Sequence, residues 1–129
     1  MTGQMLLAIE NHNEIPAPSW DDVSRALRQL DGHTVTQVSL ETVEEVSLLA
    51  GGGNDGRYIV SFIPMNDLSN RSYTLADPRQ TGADVTLTSQ VSAMYPARYA
   101  VQFAELFSAF RYFFEHPGKR DPELFWEED

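Results

Sequence analysis

Apolar residues recur at helical spacing between Trp20 and Leu30. Ser19 precedes this segment as a good N-cap, and two aspartates follow in the first turn, where the helix dipole favours anions. Asp31-Gly32 supplies a stop signal. The pattern therefore predicts a first helix that starts after Ser19 and ends at Asp31.

A second amphipathic segment lies in the last third of the chain and is rich in aromatic residues. One wide apolar face comprises Tyr99, Phe103, Leu106, Phe107, Phe110, Phe113 and Phe114. Pro96 suits the first turn of a helix, and Pro117-Gly118 suits its end. We predict a helix from Pro96 to His116, with its apolar face in the core.

Elsewhere the hydrophobic pattern is typical of strands. We predict six of them, in residues 1–10, 36–40, 46–49, 57–63, 72–76 and 84–89. The strand over residues 57–63 is apolar on both faces, so we expect it to lie inside the sheet. Two prolines in residues 11–18 predict an irregular connector, and the polar residues 65–71 predict another.

These elements predict an α+β fold: a mainly antiparallel sheet of about six strands, with two helices packed on one face. We expect one domain over residues 1–129, in which residues 119–129 form an acidic C-terminal tail. The tail carries Leu124, Phe125 and Trp126, which offer enough apolar area to dock it on the body. Termini also tend to fray, so the pattern leaves open a docked or a mobile tail.

The net charge indicates which kinds of partner the protein can bind. The formal net charge is -10 at pH 7, and such a field repels nucleic-acid phosphates and anionic lipids while it attracts a cationic partner. Acidity that serves solubility alone is the alternative. The chain has no cysteine and no apolar stretch near the length of about 20 residues that spans a bilayer. We therefore expect a cytoplasmic protein that binds neither nucleic acid nor membrane.

No catalytic constellation emerges from the sequence. Gly51, Gly53 and Gly56 match a G-x-G-x-x-G spacing, but a strand follows them where a dinucleotide site needs a helix, so we interpret this segment as a hairpin loop with positive φ angles. His12, His33 and His116 lack the spacing of metal ligands. Adjacent carboxylates diverge on helices and strands alike. We expect no enzyme activity, no cofactor and no metal.

Several features, in this order along the chain, resemble the first of the numbered immunity-protein families that accompany bacterial polymorphic toxins. They are Leu30-Asp31-Gly32, Gly51-Gly52-Gly53 before Tyr58, Gln90, Tyr95-Pro96-Ala97-Arg98, the aromatic helix, Gly118, Leu124 and Trp126-Glu127. The resemblance implies a non-enzymatic α+β protein of the cytoplasm that binds and neutralises a cognate toxin. It also implies a nucleic-acid-targeting toxin such as a deaminase, whose basic substrate surface an acidic protein would cover in a 1:1 heterodimer.

On this hypothesis the toxin-binding residues are acidic positions in loops and in the tail, with one aromatic contact. We predict Asp77, Asp84, Tyr95, Glu123, Glu127, Glu128 and Asp129. Two other classes remain open. One is a small-ligand-binding or enzymatic α+β domain with a pocket under the helix from Phe103 to Phe114. The other is an adaptor subunit that dimerises through a sheet edge or through the aromatic helix.

Overall fold

The computed structural model describes residues 5–10, 14–65 and 71–129. Within them the strands are β1 (Met5–Ile9), β2 (Glu14–Pro16), β3 (Gln37–Thr42), β4 (Val46–Gly52), β5 (Tyr58–Pro64), β6 (Tyr73–Ala76), β7 (Val85–Ser89), β8 (Val91–Tyr95) and β9 (Phe125–Glu128). The helices are α1 (Trp20–Arg28) and α2 (Phe103–Glu115). The predicted connectors fall partly on residues 11–13 and 66–70, and these parts, with His12 and the start of the first predicted strand, lie outside the described residues.

Seven strands form one antiparallel sheet in the order β2-β1-β3-β4-β5-β6-β9, and β7 pairs with β8 in a separate ribbon. This topology confirms the predicted α+β class with a mainly antiparallel sheet. The strand β5 lies between β4 and β6, which confirms its predicted place inside the sheet.

The core lies between one face of the sheet and the two helices. Alternate strand residues point into it, among them Leu7, Leu40, Leu48 and Val60, which are fully or almost fully buried. Trp20 at the start of α1 packs its ring against two phenylalanines of α2, Phe107 and Phe114, with ring centroids 5.1 and 5.6 Å away. The helices therefore contact each other as well as the sheet.

A local signal explains where α1 begins, and a long-range contact explains where α2 begins. Ser19 caps α1 as predicted, because its Oγ accepts from the backbone N of Asp22 and the Asp22 carboxylate accepts from the backbone N of Ser19. The predicted start of α2 at Pro96 is wrong. Val101 exchanges backbone hydrogen bonds with Tyr58 in an isolated β-bridge, so the chain is extended there and α2 begins only at Phe103.

Two other expectations need correction, and an alternative that the sequence left open is decided for the tail. The predicted connector contains β2, which lies at the edge of the sheet. Its last residue, Pro16, has no backbone N–H to donate, and an edge strand tolerates this because one of its sides is not paired with another strand. The predicted meander stops at Ser89, whereas the chain turns back at Gln90, with φ of 67°, and forms β8. The predicted tail contains β9, which pairs with β6 and completes the sheet, so the tail is docked.

Candidate functional site

The seven predicted binding residues do not form one cluster. Asp77 follows β6 and is 4% exposed, so its carboxylate points inward. The Arg79 guanidinium donates to both carboxylate oxygens, from Nε to Oδ1 and from Nη2 to Oδ2, at 3.0 Å each. These hydrogen bonds are the main reason that the pKa of Asp77 falls to about 2. Its charge therefore stabilises the loop between β6 and β7.

Glu127 on β9 is the centre of a second polar group. Its Oε1 accepts a short hydrogen bond from the Tyr99 hydroxyl, and its Oε2 accepts from Arg98 Nε at 2.9 Å. These two donors lower the pKa of Glu127, and the carboxylate in turn raises the pKa of Tyr99. The group holds β9 to the segment that precedes α2.

The remaining predicted residues occupy three other places. Glu128 pairs with Arg71 at 3.2 Å, on the side of the sheet that also carries the helices. Asp129 accepts from the Thr74 hydroxyl at 2.7 Å. Asp84 is exposed just before β7, and Tyr95 ends β8 close by, opposite Val85. Glu123 is exposed in the turn before β9.

The sheet face away from the helices is a larger surface, which we call the open face. The strand register places a row of residues across its middle, in which small or hydroxyl side chains lie on both sides of Leu49: Ala8, Ser39, Leu49, Ser61 and Thr74. Glu14 and Glu127 lie at the two ends of this row, on the edge strands. Further members of the open face are Leu6, Glu41, Ser47, Ile59, Ile63 and Phe125.

The apolar members of the open face do not belong to the core. Leu6, Leu49, Ile59 and Ile63 are half-buried, and none of them is part of the cluster that the helices cover. Phe125 on β9 is 53% exposed. An antiparallel sheet commonly has a polar outer face, so apolar residues at these positions mark a surface with potential for binding.

The β7–β8 hairpin borders one end of the open face. A Cβ atom on Gly51 would lie 2.4 Å from the Ser89 Oγ, so the hairpin tip crosses the sheet where only glycine fits. The backbone N of Gln90 donates to the Thr36 Oγ1 at 2.9 Å, and Asn54 bonds both the backbone N and the hydroxyl of Thr88. The tip is therefore fixed to the sheet, and the hairpin presents Val91 and Met94, which are 71% and 64% exposed.

The surface cavities of the described residues include two with different linings. One, of about 510 Å³, has aromatic walls from Phe62, Tyr73 and Trp126 and is bordered by Arg71, Lys119 and Arg120. The other, of about 320 Å³, lies at the β1–β3 end of the open face, where Leu6 and Val43 are flanked by the carboxylates of Glu41 and Glu45. Neither is lined by α2, whose inner residues Phe110 and Phe113 are fully buried.

The sequence reasoning missed the open face, although one signal for it was present. Residues 57–63 are apolar on both faces. Ile59 and Ile63 occupy the alternate strand positions whose side chains point away from the helices. Among the described residues no three His, Asp or Glu side chains are grouped as metal ligands. Neither of the two described helices is long and apolar enough to cross a membrane.

The protein is thus a small acidic α+β protein whose helices cover one face of its sheet. The chain belongs to the Imm1 family of immunity proteins, because residues 11–128 match the family model described as immunity protein Imm1. The resemblance expected from the sequence is thereby confirmed. Membership implies a toxin as the partner and a role in binding. A search of curated proteins gives no significant match.

Proposed function

We propose that this protein neutralises a toxin that acts on nucleic acid, such as a deaminase, by covering the toxin's active site with an acidic surface. The protein acts in the cytoplasm, has no catalytic activity of its own and forms a 1:1 complex with the toxin. The observation that carries this proposal is the net charge of -10 on a chain whose family binds toxins. Enzymes that act on nucleic acid present basic surfaces to the phosphates, and these surfaces attract an acidic protein.

Much of the acidity is available to a partner. Ion pairs join five arginines to six carboxylates in the described residues. Other acidic side chains have no such partner there: Glu14, Asp21, Glu41, Glu44, Glu45, Asp55, Asp84 and Glu123. Because these charges are not neutralised internally, they contribute to a field that accelerates association with a cationic protein.

The contacts that we predicted from the sequence remain part of this proposal. Asp84 and Tyr95 offer one contact at the base of the hairpin, and Glu123 offers another before β9. Glu127, Glu128 and Asp129 belong to β9 or follow it, where the ion pairs with Arg98 and Arg71 restrain two of them. Asp77 contributes indirectly, because it holds the loop that leads to Asp84.

The experiment that tests the function is co-expression of this protein with the product of the gene immediately upstream. Growth rescue and a co-purified complex with the mass of one copy of each chain are the expected results. A parallel assay asks whether the protein blocks the toxin from binding a nucleic-acid substrate. A toxic neighbour with neither rescue nor complex contradicts the proposal. A homodimer of this chain with no toxin in it supports the adaptor alternative.

The choice of target needs a separate measurement. Purified toxin is incubated with single-stranded DNA, RNA and a nucleotide pool, with and without this protein, and the products are identified by mass spectrometry. A mass gain of about 1 Da per converted base identifies a deaminase, because an amino group is replaced by oxygen. Toxin activity on protein or lipid alone would contradict the nucleic-acid part of the proposal while leaving immunity intact.

A further inference from the structure

The proposed function requires one face of the molecule to meet the toxin. We propose that this docking surface is the open face together with the exposed side of the β7–β8 hairpin. Its occupant is a toxin surface with an apolar centre flanked by lysine or arginine side chains. The inference rests on the proposed function and adds the position and the chemistry of the interface.

The first argument is the shape of the floor. Ser39 and Ser61 lie on either side of Leu49 on the neighbouring strands, so the side chains around Leu49 are short and permit close approach of another protein. Leu49 and Ile59 are half-buried and lie outside the core cluster that the helices cover, and the hairpin tip crosses the sheet at Gly51, the cross-strand partner of Ile59. A partner that covers them removes apolar area from water, as in the core of a protein interface.

The second argument is that charge is distributed unevenly between the faces. Glu14 and Glu41 lie on the open face and make no ion pair within the described residues. Most basic side chains lie elsewhere: Arg25, Arg28 and Arg111 on the helices, and Arg71, Lys119 and Arg120 around the larger cavity; Arg98 is paired with Glu127 at the β9 edge of the open face. The carboxylates of Glu14 and Glu41, which no arginine in the described part of the chain neutralises, therefore attract a basic partner to the open face.

The smaller cavity adds a specific contact. Leu6 and Val43 supply an apolar floor, and the carboxylates of Glu41 and Glu45 flank it. This combination suits the side chain of a lysine or arginine, whose aliphatic stem packs on apolar atoms while its charged end meets the carboxylates. We assign this groove to one basic side chain of the toxin.

The third argument is size. Six inter-strand spacings of about 4.8 Å and a strand length of about 17 Å give the sheet a face of about 500 Å². A stable protein complex buries about 800 Å² per partner, so the sheet alone is too small. The hairpin makes up the difference: exposed Val91 lies at the tip that Ser89 fixes over Gly51, and exposed Met94 lies further along β8, opposite Thr86.

The test measures the affinity of four variants for a catalytically inactive form of the upstream toxin by surface plasmon resonance. Glu41→Arg reverses a charge on the open face, and Asp21→Arg makes the same change on α1. Ser61→Trp adds bulk to the floor without charge, and Ser108→Trp adds it to the exposed side of α2. Thermal unfolding of each variant checks that the fold is retained.

We expect Glu41→Arg and Ser61→Trp each to raise the Kd by about 30-fold or more, and their controls to change it by less than about threefold. Equal effects within each pair would overturn the inference while the proposed function stands, because the unchanged protein still binds. If the unchanged protein binds no toxin, the proposed function fails first and the inference fails with it. Should Ser61→Trp not fold, the charge pair alone decides.

Discussion

The residue type at position 77 does not decide whether Asp77 binds a partner or stabilises the fold. The sequence indicates an acidic residue in a loop, which is equally consistent with a binding contact and with a structural ion pair. The structure places the carboxylate 4% exposed, with Arg79 two positions later bonded to both of its oxygens. Because turn conformation sets that geometry, neither hydrophobic periodicity nor charge predicts it.

We predict that Asp77 makes stability depend on pH in the acid range. Its pKa is lowered from 3.8 to about 2, so the stabilisation is present above pH 3.8 and is lost as the pH falls through about 2. The difference amounts to about 2 kcal/mol. Urea unfolding between pH 6 and pH 2 measures it, and Asp77→Asn should reduce the slope in this range. An unchanged slope would mean that Arg79 does not bind this carboxylate when the protein is in solution.

The sequence explains only part of the reason that position 53 is a glycine. The expected positive φ is confirmed at 106°, but the second constraint comes from a distant segment: a Cβ atom would lie 2.6 Å from the backbone of Leu30. Sequence reasoning predicts the turn, since glycine and asparagine cluster there. It does not predict the contact, because Leu30 belongs to the segment after α1.

Two alanine substitutions separate these two constraints. Gly82 has nearly the same φ, 109°, and has open space around it, so Gly82→Ala should cost only the conformational strain of about 1 kcal/mol. Gly53→Ala adds the clash and should cost at least about 2 kcal/mol more. Urea unfolding of both variants provides the comparison. Equal losses would show that the Leu30 backbone yields without cost.

At the scale of elements, local patterns predicted most of the sheet and both helices, and long-range pairing decided the rest. The edge strands β2 and β9 are short and have weak alternation, and each is defined by its partner strand. The start of α2 is displaced by the bridge between Val101 and Tyr58. The open face follows from register, which a single strand's pattern does not reveal.

β9 offers a test of two adjacent residues on opposite faces. Trp126 points to the core side, where its ring packs edge-on to Phe62 and its Nε1 donates to the Asp121 carbonyl at 3.0 Å. Trp126→Ala should therefore lower the unfolding free energy by about 2 to 3 kcal/mol. Phe125 is 53% exposed on the open face, so Phe125→Ala should cost less than about 0.5 kcal/mol. Denaturant unfolding of both variants measures the difference.

Toxin binding should reverse the ranking of the same two variants. Phe125 belongs to the proposed docking surface, whereas Trp126 contributes by holding β9 in place. Under conditions in which both variants are folded, Phe125→Ala should therefore raise the Kd for the toxin more than Trp126→Ala does, although it lowers the unfolding free energy less. A toxin affinity that Phe125→Ala leaves unchanged would place this part of β9 outside the interface.

At the scale of the whole molecule, composition predicted the sign of the charge but not its distribution. The net charge of -10 reads directly from the sequence. The separation of acidic residues on the open face from Arg71, Lys119 and Arg120 around the cavity depends on β9 and on the turn before it. A field of this kind acts on encounter before any side chain makes contact.

The salt dependence of toxin capture tests that field. Raising the salt concentration from about 0.1 M to about 1 M shortens the Debye length from about 10 Å to about 3 Å, so charges steer the partner over a much smaller distance. We expect the association rate to fall about tenfold or more, while the dissociation rate changes little because apolar contact on the open face is not screened. Stopped-flow fluorescence of the tryptophans follows the association.

The Asp21→Arg control should retain most of this salt dependence, since only one of many charges changes, whereas Glu41→Arg should mainly speed dissociation. A salt-independent association rate would contradict electrostatic steering and leave shape and apolar contact as the basis of recognition.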